Sequence, residues 1–317
     1  MAVLKGKQLG IWAALLAEVI VLTVLTSSFG GPHLFESTFL SLSNISQVMR
    51  ALSFIAIMAV GQSAVIISGG IDLSVGSVLG LSGVVTAVVL NGPLGLLPAI
   101  IFGAGVGLLC GLVNGVLITR AALPPFIATL AMMSVARGLA FALTGGETIR
   151  NLPESFLMIG QGSLLNVPIP IIIMAGFALV VGYQLRASRW GRYTYAIGGN
   201  EEAAVYSGVN VSTMKVIVYG LCGLSAGIAG VLFTSRFGVG QSTAGLGYEL
   251  DVIAAAVIGG ISLSGGKGTI LGAMIGSVLM GVLRNGLVLL DVSAYWQQVA
   301  IGLVILLAVI VDRETKR

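Results

Sequence analysis

A glycine-rich run in the last quarter of the chain contains residue types that bind nucleotide phosphates. Residues 259–269 read GGISLSGGKGT. A phosphate loop needs the pattern G-x-x-x-x-G-K-[ST], in which backbone N–H groups surround the phosphates and the hydroxyl binds Mg²⁺. With Lys267 in the lysine position, Ile261 occupies the first glycine position and Gly268 the Ser/Thr position. Two of the four fixed positions fail, so the sequence predicts no ATP site in this chain.

Catalysis inside a membrane would require a serine with an embedded histidine, or two aspartates on neighbouring helices. The single histidine, His33, lies between apolar segments, and Asp72 and Asp291 lie at segment ends. We interpret Asp72 as the N-cap of the helix that follows it, with a direct role toward a substrate as the alternative. Cys110 and Cys222 each lie inside an apolar run. Neither an enzyme nor a metal centre is therefore predicted.

Uncharged hydrogen-bonding side chains inside the apolar segments could serve a hydroxylated solute. Amides and hydroxyls exchange hydrogen bonds with sugar hydroxyls without presenting a strong charge, so they favour a sugar over an ion. Hydrogen bonding between helices is the alternative role for each of them. The predicted pathway residues are Gln62, Ser63, Asn114, Thr129 and Asn285, and Ser134, Gln297 and Gln298 are of the same type.

Glu18 and Arg137 are charged residues deep inside apolar segments, where insertion of a charge costs about 2.5–3.5 kcal/mol. Glu18 lies near the middle of the first segment and Arg137 well inside the fifth. Our hypothesis is that both face protein or water and pair with each other. Alternatively, the long Arg137 side chain reaches the interface, and Glu18 is protonated or faces a partner subunit.

The elements that must position these residues are membrane helices. The chain is 56% hydrophobic and 9% charged, with 46 glycines and a mean hydropathy of +1.05, which lies outside the range of soluble domains. Without a basic stripe that carries interleaved aromatic residues, nucleic-acid binding is not predicted. Composition favours an all-α integral membrane protein with a single domain over 1–317. About ten transmembrane helices are predicted, at Leu9–Phe29, 47–68, 74–90, 98–119, 125–143, 169–186, 213–234, 250–263, 268–290 and 294–311.

The basic residues indicate the orientation of the chain, because Lys and Arg are enriched in cytoplasmic loops. Their distribution predicts that both termini are cytoplasmic. Most of the 16 Lys and Arg then fall on the cytoplasmic side, at Lys5, Lys7, Arg120, Arg186, Arg189, Arg192, Lys215, Lys267, Arg313, Lys316 and Arg317.

Glycine spacing predicts how helices pack. Small residues at every fourth position allow close helix contact in lipid, so two glycine-rich helices are expected in the protein interior. These glycines are Gly103, Gly107, Gly111 and Gly115, followed by Gly268, Gly272 and Gly276.

A short self-match also occurs between GGIDLSVG, from Gly69, and GGISLSGG, from Gly259. It predicts an internal repeat of the kind that can place a pathway between two halves. Convergent turn chemistry is the alternative.

The longest polar interruption of the apolar pattern runs from Arg186 to Lys215. Within it, Asn200 is a good helix N-cap, Glu201 and Glu202 place negative charge on the first turn, and Gly208 can end the helix. We predict a short exposed helix on the cytoplasmic side that meets a soluble partner.

Longer motifs add a family resemblance. Residues 202–208, EAAVYSG, fit EAA-x-x-x-G, by which permease subunits of bacterial ABC importers contact their ATPases; the downstream Leu-Pro is absent, which points away from the maltose type. From about residue 45 to Asp312 the chain resembles the ribose-type monosaccharide permeases. The motifs are IMAVGQSAVIISGGIDLSVGS (57–77), PPFIATLAMMSVARG (124–138), GRYTYAIGGNEEAAVYSGVNV (191–211) and YELDVIAAAVIGGISLSGGKGTILG (248–272).

The resemblance implies the permease subunit of an ABC importer that translocates a monosaccharide across the bacterial cytoplasmic (inner) membrane. Ribose is the best match, and autoinducer-2, xylose, galactose or a polyol is the alternative. A homodimer is implied, with a tandem ABC ATPase that binds ATP and Mg²⁺ on the inner face and a periplasmic or extracellular sugar-binding protein on the outer face. No cofactor is implied for this chain itself.

Within the cytoplasmic coupling loop 187–212, the resemblance assigns the ATPase contact to seven residues. They are Gly199, Asn200, Glu201, Glu202, Ala203, Ala204 and Gly208. A self-sufficient secondary transporter and an intramembrane enzyme are the competing hypotheses.

Overall fold

The computed structural model describes residues 2–28 and 36–314, and Phe29, His33, Lys316 and Arg317 lie outside them. The described residues form thirteen helices, which confirms the all-α prediction. Two short antiparallel strand pairs accompany them, β1 Ser27–Ser28 with β2 Glu36–Ser37 and β3 Ser163–Leu164 with β4 Val167–Pro168. The helices are α1 Ala2–Leu25, α2 Leu42–Ile67, α3 Val75–Leu90, α4 Leu96–Arg120, α5 Pro125–Thr144, α6 Glu154–Gln161, α7 Ile169–Ala187, α8 Arg189–Gly199, α9 Glu201–Tyr206, α10 Val211–Phe237, α11 Tyr248–Ile258, α12 Ile270–Leu289 and α13 Ala294–Glu314.

Among the described residues, six helices are long and apolar enough to cross a membrane, namely α2, α4, α5, α7, α10 and α12. Two shorter apolar stretches, Gly10–Leu25 and Val75–Leu90, accompany them. Each of the ten predicted segments coincides with a helix, but α11 ends at Ile258, earlier than the predicted 263. Its 11 residues rise about 16 Å, roughly half the thickness of the hydrocarbon layer.

Helix α2 forms the centre of the bundle. From Leu52 to Ile67 every residue of α2 is buried. It packs against α7, α10, α11 and α12. A helix that is apolar around its whole circumference is buried on all sides, which explains this central position.

Helices α4 and α10 meet along glycines, as the spacing predicted. A Cβ on Gly107 would lie 2.6 Å from the Gly227 Cα, and a Cβ on Gly111 would meet the backbone of Tyr219. The expectation that α4 lies in the interior is wrong, however. Its other face exposes large apolar side chains, including Leu97 at 68% and Leu109 at 61%. The glycine spacing identified the packed face of α4 but not its depth in the bundle.

The second glycine series contributes to a contact between α11 and α12. Gly272 and Gly276 on α12 face the backbone of Gly259 and Ala255. Gly268 precedes the helix, with φ +146°, so only the last two members of the series act as a helix face.

The two GGI turns share one backbone form in a register that differs from the sequence match. Gly69 ends α2 and Gly260 ends α11, and each has φ +86°. The next N–H reaches back to a carbonyl five residues earlier, from Gly70 to Val65 (3.0 Å) and from Ile261 to Ala256 (3.1 Å). In the structure Gly69 therefore corresponds to Gly260, whereas the sequence match aligns it with Gly259. A shared helix-ending turn accounts for the paired glycines.

Candidate coupling site and buried polar cluster

The short helix α9 begins as predicted. Asn200 is its N-cap, with its Oδ1 accepting a hydrogen bond from the Ala203 N–H at 2.9 Å. Glu201 and Glu202 form the first turn and are exposed. Carboxylates at this end are stabilised by the partial positive charge of the free N–H groups. The helix therefore presents two acidic side chains on a capped, ordered terminus.

The end of α9 depends on a residue with a left-handed backbone. Gly208 has φ +80°, and its N–H reaches the Val205 carbonyl at 2.9 Å. This conformation is costly for residues with a Cβ, so the predicted role of Gly208 as a terminator is confirmed. Just before it, Val205 is 54% exposed and Tyr206 87% exposed. An acidic turn and an apolar tip thus share the exposed surface of α9.

One side of α9 is fixed to the rest of the molecule. Ala204 is 4% exposed and packs in a small cluster with Ile197 of α8 and Val211 of α10. The Lys215 Nζ lies 2.7 Å from both carboxylate oxygens of Glu201. Because α9 touches both α8 and α10, the three helices are mechanically connected.

Helix α8 fastens this region to the loop between α11 and α12. The Tyr195 hydroxyl donates to the Gly268 carbonyl at 2.8 Å. Burial raises the pKa of the Tyr195 phenol, so the group stays a neutral donor at physiological pH. The hydrogen bond therefore does not depend on pH in the physiological range.

A contact between backbones, which we name the glycine junction, joins α8 to the turn after α2 and to the loop between α11 and α12. It consists of Gly69, Gly198, Gly265 and Gly266. The Gly266 N–H donates to the Ile67 carbonyl at 2.8 Å. A Cβ on Gly198 would meet that same carbonyl and lie 2.6 Å from the Gly266 nitrogen, and a Cβ on Gly265 would lie 3.1 Å from the Gly69 Cα.

No side chain separates the three segments at the glycine junction, so a displacement of α8 is passed directly to the end of α2 and to the loop between α11 and α12. Sequence reasoning selected Gly199, which has no heavy atom within 4 Å of a Cβ position, and passed over its neighbour Gly198. The paired glycines before Asn200 were the only signal for it.

A buried polar cluster lies where the α2–α3 turn meets α4 and α10. The Asp72 carboxylate accepts from the Ser74 N–H at 2.8 Å and the Ser74 hydroxyl at 2.6 Å. Asn114 donates to the Ser74 hydroxyl at 3.1 Å. With the Gln62 amide oriented to satisfy both of its ends, it bonds the Asp72 carbonyl (3.3 Å) and N–H (3.1 Å). The Cys222 thiol lies 3.3 Å from the same amide.

The interpretation of Asp72 as an N-cap needs correction. Ser74 is the N-cap of α3, and Asp72 stabilises the turn from two residues earlier. Asp72 is 1% exposed, and its Oδ2 has no hydrogen-bond partner among the described residues, nor has the Asn114 Oδ1. Within those same residues, no three His, Cys, Asp or Glu side chains come together as a metal site.

The structure brings together only two of the five predicted pathway residues, Gln62 and Asn114. Ser63 bonds back to the Ala59 carbonyl at 2.5 Å, and Thr129 to the Pro125 carbonyl at 2.9 Å. Asn285 lies toward the opposite end of the bundle and exchanges hydrogen bonds with Asn44, at 3.0 and 2.8 Å. That pair connects α12 to the start of α2.

The hypothesis that Glu18 pairs with Arg137 is wrong. The Arg137 Nη1 donates to the carbonyls of Ser242 (2.5 Å) and Ala244 (2.8 Å), in the loop before α11. Glu18 lies on α1, which packs against α12, and neither of its carboxylate oxygens has a partner within the described part of the chain. A guanidinium can bond two carbonyls at once, so a loop backbone supplied what an acid was expected to supply.

Comparison with known proteins identifies the class of molecule. Residues 44–309 match the family model described as branched-chain amino acid transport system / permease component. The chain is 45% identical to the ribose import permease of Escherichia coli K12, over 87% of each chain. It is 43% identical to the ribose import permease of Bacillus subtilis, over 97% of this chain and 93% of that one.

A third relative is more distant. It is the D-allose transport system permease of Escherichia coli K12, 37% identical over 92% of this chain and 90% of that protein. No solved structure matches the chain.

Proposed function

The chain belongs to the branched-chain amino acid transport system permease component family, and we propose that it is the membrane subunit of an ABC importer for ribose. As a permease component it is a transport subunit and not an enzyme. The sequence identity to two ribose import permeases, across most of each chain, supports ribose as the transported sugar. Permeases for autoinducer-2, xylose, galactose or a polyol remain the alternatives, and the allose relative adds another aldose.

The observation that carries the proposal is the attachment of α9. An acidic, capped helix is exposed to a partner on one side and connected through α8 and the glycine junction to the end of α2 and to the loop between α11 and α12. We assign the ATPase contact to Gly199, Asn200, Glu201, Glu202, Ala203, Ala204 and Gly208. A rigid helix that moves with its partner could change the positions of the central helices.

The proposed topology has the 1–317 chain as one membrane domain with about ten segments in the bilayer. Both termini and the coupling loop 187–212 lie on the cytoplasmic side, where a tandem ABC ATPase supplies ATP and Mg²⁺ binding. A sugar-binding protein docks on the opposite face. The short α11 does not cross alone; after the glycine turn, α12 runs back antiparallel to it, with Gly272 beside Gly259 and Arg284 beside Asp251.

The sugar is proposed to pass between two copies of the chain. We assign Gln62, Ser63, Asn114, Thr129 and Asn285 to this pathway. The first four are fully buried within one copy, so helix movement would have to expose them. The unpartnered acceptors on Asp72 and Asn114 support a region that can change its hydrogen bonds.

The decisive experiment changes the charge of α9 in a reconstituted complex with its ATPase and binding protein. Glu202→Arg places a cation at a helix N-terminus and in the proposed contact, so we expect loss of ATPase co-purification and of ribose uptake. The matched control is Glu147→Arg, an exposed acid in the loop after α5, which should keep ATPase co-purification. Unchanged co-purification and uptake with Glu202→Arg would contradict the docking assignment.

A second experiment separates the importer from a self-sufficient transporter. Vesicles that contain this chain alone are given a proton gradient and labelled ribose. The proposal expects no accumulation, because the driving force comes from a separate ATPase. Accumulation under these conditions would favour a secondary transporter.

A further inference from the structure

A charged and aromatic cluster lies at the end of the bundle opposite α9. Helix α10 begins beside α9, so its last residues mark this opposite end. The Arg284 Nη2 of α12 lies 2.8 Å from the Asp251 Oδ2 of α11. Its guanidinium carbon is 5.6 Å from the centroid of the Tyr248 ring. Arg284 is thus held by a carboxylate and an aromatic face, both presented by the first turn of α11.

The aromatic part of this cluster continues onto the central helices. The Tyr248 ring packs edge-on against Phe233 of α10, with centroids 6.2 Å apart. Phe233 in turn packs against Phe54 of α2 at 5.7 Å. Because aromatic pairs prefer such edge contacts, Phe233 holds the Tyr248 ring in place from the side of α10. We name Tyr248, Asp251 and Arg284, with Phe233 behind them, the arginine–aromatic cluster.

The two charges of the cluster differ in exposure. The Asp251 side chain is 3% exposed, whereas the Arg284 side chain is 36% exposed. An arginine in the bilayer is costly unless it meets water or protein, and such residues mark substrate pathways. The exposed part of Arg284 therefore requires contact with water or with a second copy of the chain. Both occur where sugar is proposed to pass between two copies.

We propose that the arginine–aromatic cluster binds the sugar during its passage through the outer half of the membrane. This inference rests on the proposed function. A sugar has vicinal hydroxyls that a guanidinium fork can engage and a C–H face that can lie against an aromatic ring. Arg284 donates to the hydroxyls, Asp251 orients Arg284, and Tyr248 supplies the ring. Asp251 is thus a positioning residue.

The test uses the complete importer in vesicles, with labelled D-ribose uptake and ATP hydrolysis measured together. For Arg284→Gln and Tyr248→Leu we expect uptake to fall at least about tenfold while hydrolysis stimulated by the binding protein stays within about twofold. Tyr248→Phe keeps the ring and should retain most of the uptake. The matched control is Tyr183→Leu, an aromatic residue on α7 that is 72% exposed and should leave uptake unchanged.

The double variant Asp251→Asn/Arg284→Gln separates sugar binding from structural support. A purely structural ion pair predicts recovery when both partners are neutral, because no uncompensated charge remains. The proposal predicts that uptake stays low. Recovery, unchanged uptake in the single variants, or an equal loss of hydrolysis and uptake would overturn the assignment. Failure of the wild-type complex to import ribose would instead count against the proposed function.

Discussion

The glycine junction and the arginine contacts, which lie at opposite ends of the bundle, are built from different interactions. At the end that carries α9, the glycine junction brings three segments together through backbone atoms, with the Gly266 N–H on the Ile67 carbonyl. At the opposite end, long side chains make the connections, including Arg137 on the Ser242 and Ala244 carbonyls and Arg284 on Asp251. Backbone contacts leave no room for rearrangement, whereas arginine and aromatic side chains can change rotamer.

This difference agrees with the role proposed for each end, which is transfer of the ATPase movement at the α9 end and passage of sugar at the opposite end. A mechanical link should be short and stiff, because compliance in the link would absorb the movement of the partner. A passage for a solute needs side chains that exchange hydrogen bonds. The comparison therefore predicts that small changes of volume matter most at the α9 end, and changes of hydrogen-bonding groups at the opposite end.

The largest effect is expected from Gly198→Ala. The added Cβ would meet the Ile67 carbonyl and the Gly266 nitrogen, and neither backbone atom can rotate away. We expect the free energy of unfolding to fall by about 3 kcal/mol, measured by denaturation of the purified protein in detergent. Gly199→Ala, one residue away with open space at its Cβ position, is the control and should unfold at nearly the wild-type midpoint. Equal midpoints for the two variants would show that the junction is not stiff.

A smaller loss is expected at the opposite end from Arg137→Gln. The change removes a donor that serves two loop carbonyls and leaves them without that partner. We expect a loss of about 2 kcal/mol in the same denaturation measurement. Arg150→Gln, at an exposed arginine in the loop after α5, should have little effect. A loss as large as that of Gly198→Ala would contradict the prediction that the α9 end is the more sensitive of the two ends to substitution.

The Asn44 and Asn285 pair allows a direct measurement of side-chain coupling between α2 and α12. Their reciprocal hydrogen bonds should give a coupling energy of about 1 kcal/mol in a double-mutant cycle with alanine. The measurement needs both single variants and the double variant. Additive effects would mean that the pair does not connect the helices.

The smallest effect is expected from Lys215→Met. The ion pair with Glu201 is short, but the Glu201 side chain is 54% exposed and therefore well screened. We expect a change of about 0.5 kcal/mol or less, which becomes smaller as salt is added. A large loss that persists at high salt would indicate that this charge pair, and not the glycine junction, holds α9 in place.

Several local features could be predicted from residues alone. The caps of α9 follow from Asn200 and Gly208, because a side-chain acceptor and a left-handed backbone are properties of single residues. The packed face of α4 follows from glycine spacing. The depth of α4 in the bundle does not, because glycine on one face carries no information about what covers the other.

Contacts between residues that are distant in sequence could not be predicted. Arg137 bonds two carbonyls about a hundred residues away, and carbonyls carry no sequence signal. The same holds for Gly198, whose importance comes from the two turns packed against it. The Gly69 and Gly260 register also differs from the letter match, since the position of a left-handed residue depends on where each helix ends.

The sequence by itself determined that this is a helical membrane permease with a short, capped, exposed helix near Glu202, because hydropathy, capping and motif spacing are local properties. Only the tertiary structure decided that α9 connects through α8 and the glycine junction to α2 and to the loop between α11 and α12, and that Arg284 lies between Asp251 and Tyr248. Both depend on how helices far apart in the chain pack together, and packing is set by the whole molecule.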